Sequence, residues 1–234
     1  MNVLAIICHP DDMEITCGGT LLKFKKAGHH VTVCNVANGN MGHYSIMPDE
    51  LRVIRRKEAE NACAVGGFKS VTADIGDLTV NASDMNQVKK LVTIIRAEKP
   101  DLIITHHPED YCSDHCETSK LVFKASFDAT CPHFMPECGE AVDLMPLYYA
   151  DTDWGINMIP TEYVDISEEM ETKEKMLTCH ESQTVWLKEH DGYDVIAETK
   201  KMAAARGAQC GVAYAEAFTP ALVSGRLRTF RLLP

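Results

Sequence analysis

An apolar run leads directly into polar side chains in the segment Val3-Leu4-Ala5-Ile6-Ile7-Cys8-His9-Pro10-Asp11-Asp12-Met13-Glu14. Such a run is typical of a central parallel strand, because these strands are buried on both faces. In open α/β sheets, ligands bind beyond the carboxyl ends of the strands. We therefore predict that the imidazole and the carboxylates of this segment lie at a functional site.

The spacing within this segment separates a metal-binding pair from a free carboxylate. Pro10 suits the first position of a helix because it has no N–H to bond. His9 and Asp12 are three residues apart, so they can face one point and share a metal ion. Asp11 diverges from Asp12 on a helical turn and is free to accept a proton from water activated by the metal. The alternative is an acidic helix N-terminus, which accounts for the three acids, Glu14 included, but leaves His9 unexplained.

A second polar cluster, residues 106–116, follows another predicted strand at residues 102–105. The two clusters can converge only if their strands are parallel and close together. We predict His115 as the third ligand, since a catalytic zinc site has three protein ligands and an open position. The alternative is a polar surface loop with a helix cap at Ser113 or Asp114.

Strands and helices alternate along the first half of the chain. Strands are predicted at residues 2–8, 31–36, 71–75 and 102–105, and helices at residues 11–27, 48–65, 83–98 and 114–129. The second half is less regular, with short strands predicted at 147–150 and 163–166 and helices at 167–180 and 195–209. The alternation predicts an α/β fold with a doubly wound, mostly parallel, Rossmann-like sheet.

Further motifs follow in order along the chain. They are Asn38-Gly39-x-x-Gly42, Arg55-x-x-Glu58-x-x-x-Ala62 with Gly66-Gly67, Gly76-Asp77, His180-Glu181-Ser182-Gln183 and Tyr214-Ala215-Glu216-Ala217-Phe218. Together with the His-Pro-Asp-Asp-x-Glu opening and the later Asp-His, this series resembles the LmbE-like (PIG-L) metal-dependent N-deacetylases. Members of that family remove acetyl groups from N-acetylglucosamine-type sugars and conjugates.

The resemblance implies a role for each matching residue. It implies His9, Asp12 and His115 as zinc ligands, Asp11 as general base, Arg55, Asp77 and Gly39 as substrate-binding residues, and Glu14, Asp114 and His180 as neighbours of the site without an assigned role. Iron(II) in place of zinc is compatible with these ligands. The resemblance also implies a small amino-sugar substrate and a homo-oligomer.

One position departs from the family pattern, which usually has His-Pro-Asp-His where this chain has Cys112-Ser113-Asp114-His115. A neutral thiol is a poor donor, and loss of an oxyanion donor can cost about 100- to 1000-fold in rate. Three explanations are open. Either His106 or His107 donates the proton to the leaving amine, or Asp11 both accepts the proton of the water and donates it to the amine, or the activity is altered or lost. We favour the first two explanations together. A structural metal held by Cys112, His115 and Cys116 together is disfavoured, because their spacing is too cramped for a zinc ribbon and the chain has no Cys-x-x-Cys pair.

Composition limits the class of protein. A chain of 234 residues with 45% hydrophobic content can bury one core, so we predict a single domain over residues 1–234, less regular from about residue 130. The ten cysteines are scattered along the chain, which predicts reduced thiols. The N-terminal apolar run is short and has no basic region before it, which predicts a cytoplasmic location and no membrane partner. The net charge of −11 argues against nucleic acid. The loop at residues 39–42 lacks Gly-x-Gly-x-x-Gly spacing, so no nucleotide cofactor is expected.

These observations predict a zinc-dependent hydrolase that removes an N-acetyl group from an N-acetylglucosamine-type sugar or small glycoconjugate. Asp11 takes the proton from water, and a tetrahedral oxyanion then collapses to amine and acetate. Tyr111 and Trp154 could stack on a sugar ring, although packing is the more common role of such residues. The alternative function, motivated by Cys112, is a catalytically impaired metal- or sugar-binding member of the same fold.

Overall fold

Seven strands form one sheet in the computed structural model, which describes residues 1–234. They are β1 (Asn2–Ile7), β2 (His30–Ala37), β3 (Lys69–Ile75), β4 (Leu102–Thr105), β5 (Leu147–Ala150), β6 (Glu162–Asp165) and β7 (Ala215–Pro220). Their order is β3-β2-β1-β4-β5-β7-β6, and the first five are parallel. β7 runs antiparallel to both of its neighbours. The predicted doubly wound, mostly parallel sheet is confirmed.

Eight α-helices cover both faces of this sheet. They are α1 (Asp12–Thr16), α2 (Gly18–Lys26), α3 (Pro48–Gly66), α4 (Met85–Glu98), α5 (Ser113–Asp128), α6 (Met170–Thr178), α7 (Glu181–His190) and α8 (Val195–Cys210). Successive side chains of a strand point to opposite faces. Accordingly, Ala5 and Ile7 of β1 pack in a core with α2, α3, α6 and α8, whereas Leu4 and Ile6 pack in a second core with α4 and α5. No helix combines the length and the apolar character that crossing a membrane requires.

The helix predicted over residues 11–27 is two helices, which is a correction to the sequence analysis. The helix is interrupted at Cys17, whose φ of −144° and ψ of 7° are not helical. The break gives α2 its own N-terminus, and the N–H groups of Gly19 and Thr20 donate to the carboxylate of Glu216 over 2.8 and 2.7 Å. Because Glu216 lies on β7, this partner is invisible in the local sequence. Helix α7 and strand β7 were also not predicted.

The strand order reverses at β1, which places the site. β4 pairs in register with β1, Val3 opposite Leu102 and Ile6 opposite Thr105, so both strands end at the same edge of the sheet. The turns that follow them therefore meet. This is the crevice in which open α/β sheets bind ligands.

Candidate active site

Two turns at this edge bring the three predicted metal ligands together. His9 and Asp12 follow β1, and His115 lies in the first turn of α5, after β4. His9 Nδ1, Asp12 Oδ2 and His115 Nε2 form a triangle in which each pair of atoms is 3.2 Å apart. Atoms bound to one tetrahedral zinc ion at about 2.0–2.1 Å lie about 3.3–3.4 Å from one another. The triangle thus fits one face of the coordination sphere of a divalent cation.

Two further carboxylates face the imidazole nitrogens that point away from this triangle. Asp114 Oδ2 lies 3.4 Å from His9 Nε2 and also accepts a hydrogen bond of 2.7 Å from the Leu78 N–H. Asp110 Oδ1 lies 3.4 Å from His115 Nδ1. Partners of this kind set the tautomer and the orientation of a metal-binding imidazole. Both rings are therefore held with the nitrogen of the triangle turned inward.

Asp11 lies beside the triangle without acting as a helix cap. Its side chain makes no hydrogen bond to the first turn of α1, and its φ of 113° is uncommon for a residue other than glycine. Burial raises the pKa of Asp11 to about 6, while Arg55, whose Nη2 lies 3.0 Å from Asp11 Oδ1, opposes the shift. Strained backbone of this kind concentrates at functional sites. Asp11 therefore does not cap α1 through its side chain, although Asp12 and Glu14 do lie in the acidic first turn of this helix.

Arg55 and Asp77 shape the glycine loop that follows β2. The buried guanidinium of Arg55 donates to the carbonyl oxygens of Pro10 and Gly39. The Asp77 carboxylate accepts hydrogen bonds from the N–H groups of Gly39 and Met41 over 2.7 and 3.0 Å. Arg55 and Asp77 line the cavity described below, and Gly39 lies behind it. Their substrate contacts remain predictions, and the contacts seen here hold the loop in place.

The structure does not place His106 and His107 where the proton transfer predicted for them would reach a ligand in the cavity. The Cys8 N–H donates to His106 Nε2 over 2.9 Å, so the lone pair of this nitrogen is engaged. The His106 ring stacks on His115 with centroids 4.0 Å apart, and burial, reinforced by the charge of His115, lowers the pKa of His106 to about 4. His107 meets Tyr149 edge to face. Neither histidine lines the cavity, so neither is placed to give a proton to a ligand there.

Glu14 and His180 form a separate buried pair next to the site. His180 Nε2 lies 3.2 Å from Glu14 Oε1, and both side chains are almost completely buried. Burial acts to lower the pKa of His180, but the charges of Glu14 and Asp11 outweigh it and raise the pKa. His180 is the residue before α7. The pair therefore joins α1 to the start of α7 and does not reach the cavity.

A cavity of about 570 Å³ opens beside the triangle and extends to α7 and α8. Small-molecule sites commonly enclose about 300–1,000 Å³. Besides the triangle and Asp11, its wall includes Tyr111, Cys112, Asp153, Trp154, Tyr193 and Glu198. The turns that carry the predicted metal ligands and a ligand-sized space thus form one continuous site.

The amino-acid sequence matches the family model described as PIG-L: GlcNAc-PI de-N-acetylase over residues 4–126, more than half of the chain. The chain belongs to the PIG-L family. A similar protein is the diacetylchitobiose deacetylase of Thermococcus kodakarensis, 30% identical over 195 residues that cover 78% of this chain and 70% of the relative. The family that the motifs resembled is confirmed.

Two solved structures share this PIG-L fold. The N,N'-diacetylchitobiose deacetylase from Pyrococcus horikoshii superimposes with a TM-score of 0.81 at 26% identity, covering 94% of this chain and 84% of that one. GalB, the 4-carboxy-2-hydroxymuconate hydratase from Pseudomonas putida KT2440, has a TM-score of 0.83 at 21% identity and full coverage of both chains. The second likeness shows the fold alone, since one fold hosts different reactions.

Cys112 is where this chain departs from the PIG-L pattern. The residue precedes α5, is partly buried and lines the cavity. Burial acts to raise the pKa of Cys112, but hydrogen bonding and charge from His115 outweigh it and leave the pKa below its usual value. A thiol beside His115 therefore stands in the wall where the family pattern has an imidazole.

Sequence reasoning missed two acidic residues of this PIG-L site. Asp110 lies in the second polar cluster but was given no role, and Asp153, in the loop after β5, was not singled out. Burial raises the pKa of Asp153 to about 7, with His115 opposing the shift and Asp12 and Asp110 reinforcing it. A signal was available, because Asp153 follows a predicted strand in the same way as the first two polar clusters.

Proposed function

We propose that this protein is a zinc-dependent N-deacetylase of N-acetylglucosamine-type sugars or small glycoconjugates. The observation that carries the proposal is the triangle of His9, Asp12 and His115, with Asp11 beside it at one end of a ligand-sized cavity. The names of the two archaeal relatives, both diacetylchitobiose deacetylases, support an N-acetylated amino sugar as the substrate.

Zinc fits the donor set, since two imidazoles and one carboxylate leave a position open for water and substrate. When bound, zinc lowers the pKa of water and polarises the acetamide carbonyl. Iron(II) accepts the same ligands. Metal analysis of the purified protein is the direct measurement of which ion is present.

Asp11 moves the proton in the proposed reaction. Its carboxylate takes a proton from the attacking water, and the water oxygen forms a bond to the acetamide carbon. When the carbon–nitrogen bond breaks, Asp11 returns this proton to the nitrogen, so that acetic acid and a primary amine leave, and the acid then ionises to acetate. Arg55 holds the Asp11 carboxylate from one side. Because His106 and His107 lie outside the cavity, Asp11 performs both transfers.

The test is primary-amine release from N-acetylglucosamine and N,N'-diacetylchitobiose by zinc-loaded protein. We expect turnover that a chelator abolishes and added zinc restores. Asp11→Asn should keep stoichiometric zinc and lower kcat at least about 100-fold, the usual contribution of a general base. Asp143→Asn is the matched control, because Asp143 is exposed and lies outside the cavity wall. Stoichiometric zinc without amine release from either sugar would instead support a metal- or sugar-binding protein.

A further inference from the structure

Every lysine and arginine in the cavity wall is already paired with a carboxylate. The three pairs are Arg55–Asp11 at 3.0 Å, Lys173–Glu216 at 2.6 Å and Arg206–Asp151 at 2.6 Å. All six residues are buried or nearly so. Releasing one of these cations to a ligand would leave a buried carboxylate uncompensated, which is costly. The wall therefore has no free cation with which to bind a phosphate or a carboxylate.

Acidic groups dominate around the metal-binding triangle. Five carboxylates lie there, those of Asp11, Asp12, Asp110, Asp114 and Asp153. They outnumber the three positive charges that Arg55 and a divalent cation supply together. With these carboxylates ionised, a ligand next to the triangle meets a net negative charge even when a divalent cation is bound.

Asp153 extends this negative region into the cavity. One of its carboxylate oxygens lies within 4.8 Å of ligand atoms of His115 and Asp110. It belongs to none of the three ion pairs, and only its backbone N–H is engaged, at 3.4 Å from Asp110 Oδ2. Farther out, the wall carries Glu198, whose partner Lys201 lies on the exposed side of α8. An anionic group of a ligand would face repulsion along this path.

Two aromatic rings stand next to Asp153 in the same wall. The Trp154 and Tyr193 rings lie 5.3 Å apart between centroids and are tilted by 55°. Trp154 is 47% exposed, although it lines the cavity, so one side of its indole is uncovered. Uncovered aromatic faces pack against the apolar faces of rings, and their polar edges hydrogen-bond. The pair offers a surface for a second ring of the substrate.

Resting on the proposed deacetylase function, we propose that Asp153 and Trp154 select the group to which the N-acetylglucosamine unit is joined. That group is a second sugar ring that is uncharged or carries an amine, and conjugates that carry a phosphate or a carboxylate are rejected. Trp154 packs on the second ring, and Asp153 hydrogen-bonds to its hydroxyl or amino groups. Specificity of this kind comes from repulsion of the wrong ligand as well as attraction of the right one.

The experiment compares three disaccharides that differ in the substituents at C2 and C6 of the second ring. N-Acetylglucosamine is β1,4-linked to N-acetylglucosamine, to glucosamine or to glucuronic acid, and kcat/KM for amine release from the first ring is measured. We expect the carboxylate-bearing disaccharide to be at least about tenfold poorer than the other two, because the like charges meet in a partly desolvated site. Equal rates for all three, or a preference for the carboxylate, would overturn the proposal.

Two variants assign the effect to named residues. Asp153→Asn should reduce the discrimination against the carboxylate to within about threefold, since the nearest unpaired charge is gone. Trp154→Ala should lower the preference for a disaccharide over free N-acetylglucosamine. Glu140→Gln is the control, because it removes one negative charge from a residue that is exposed and lies outside the cavity wall. Discrimination that is unchanged in Asp153→Asn would show that another group is responsible.

Binding measurements separate this inference from the proposed function. Calorimetry of the three disaccharides on zinc-loaded Asp11→Asn protein gives their relative affinities without requiring turnover. The same order of ligands in that titration would support the selection by charge even if no amine were released by the wild-type protein. Turnover of all three disaccharides together with equal affinities would support the proposed deacetylase function and would contradict the proposed charge selection.

Discussion

Gly39 is a single residue on which the position of Arg55 depends. Its φ of 76° lies in the left-handed region, which suits glycine. A Cβ atom at this position would lie 2.5 Å from Arg55 Cδ, too close for any real contact. Arg55 in turn holds the Asp11 carboxylate. A methyl group at Gly39 would therefore displace Arg55 and, through it, the proposed base Asp11.

We expect Gly39→Ala to lower kcat at least about tenfold, because small misplacements of a reacting group are costly. Gly28→Ala is the matched control, since Gly28 has a similar φ of 84° but nothing within 4 Å of an added Cβ. Both changes carry the strain of a left-handed alanine, about 1 kcal/mol. Steady-state kinetics and urea unfolding of both variants make the comparison. Equal kcat values would show that the contact with Arg55 is unimportant.

Arg96 of helix α4 holds the irregular segment between α5 and β5 in place through hydrogen bonds. The side chain is 2% exposed, and its guanidinium donates to five backbone carbonyl oxygens, those of Ala129, Cys131, Phe134, Met135 and Gly139. This segment connects α5 to β5 and contains only one short turn of helix. The guanidinium adds charged donors to its carbonyl oxygens, three of which, those of Ala129, Cys131 and Met135, also accept a backbone N–H.

Arg96→Ala should lower the free energy of unfolding by about 2–4 kcal/mol, because buried carbonyl oxygens lose charged donors and a cavity is left. Arg56→Ala is the control, an arginine on α3 that is about half-exposed and pairs with Asp74 at 3.2 Å. It should cost less than about 1 kcal/mol, as exposed ion pairs do. Urea titrations followed by circular dichroism give both values. A small effect at Arg96 would mean that water replaces it at these carbonyl oxygens.

At the scale of the whole molecule, β7 holds together elements that are far apart in the sequence. Glu216 accepts hydrogen bonds from the N–H groups of Gly19 and Thr20 and from Lys173 Nζ, the last over 2.6 Å. Lys173 Nζ also donates to the Ile15 carbonyl oxygen over 3.0 Å. One buried ion pair in the cavity wall therefore links α1, α2, α6 and β7.

Breaking this pair from one side should be more damaging than removing it entirely. Glu216→Gln leaves the Lys173 charge buried and should cost about 3–5 kcal/mol of unfolding free energy. Lys173→Met leaves Glu216 with its two backbone N–H donors and should cost less. The double variant should be more stable than the sum of the single effects predicts, by at least about 1 kcal/mol. A double-mutant cycle in urea measures this coupling, and additive effects would show that the two charges do not interact.

The sequence analysis performed best where one short segment carried both the strand and the polar residues after it. Residues 3–12 and 102–115 are of this kind, and the structure brings their side chains to one point because β1 and β4 pair in parallel. Boundaries were less well predicted where the partner is distant. The break at Cys17 depends on Glu216, and no local pattern reveals it.

The amino-acid sequence by itself determined the α/β sheet, the family and the three residues of the proposed metal site, because periodicity and contiguous motifs are local properties of a chain. Only the tertiary structure decided which way each side chain turns. It directs His106 toward the Cys8 N–H and away from the cavity, and sets Asp110 against His115. It also brings Asp153 and Trp154 from the β5 loop to the cavity that α8 completes. The positions of His106 and of the β5 loop depend on packing between segments about 50 to 100 residues apart, and no spacing rule along the chain describes such contacts.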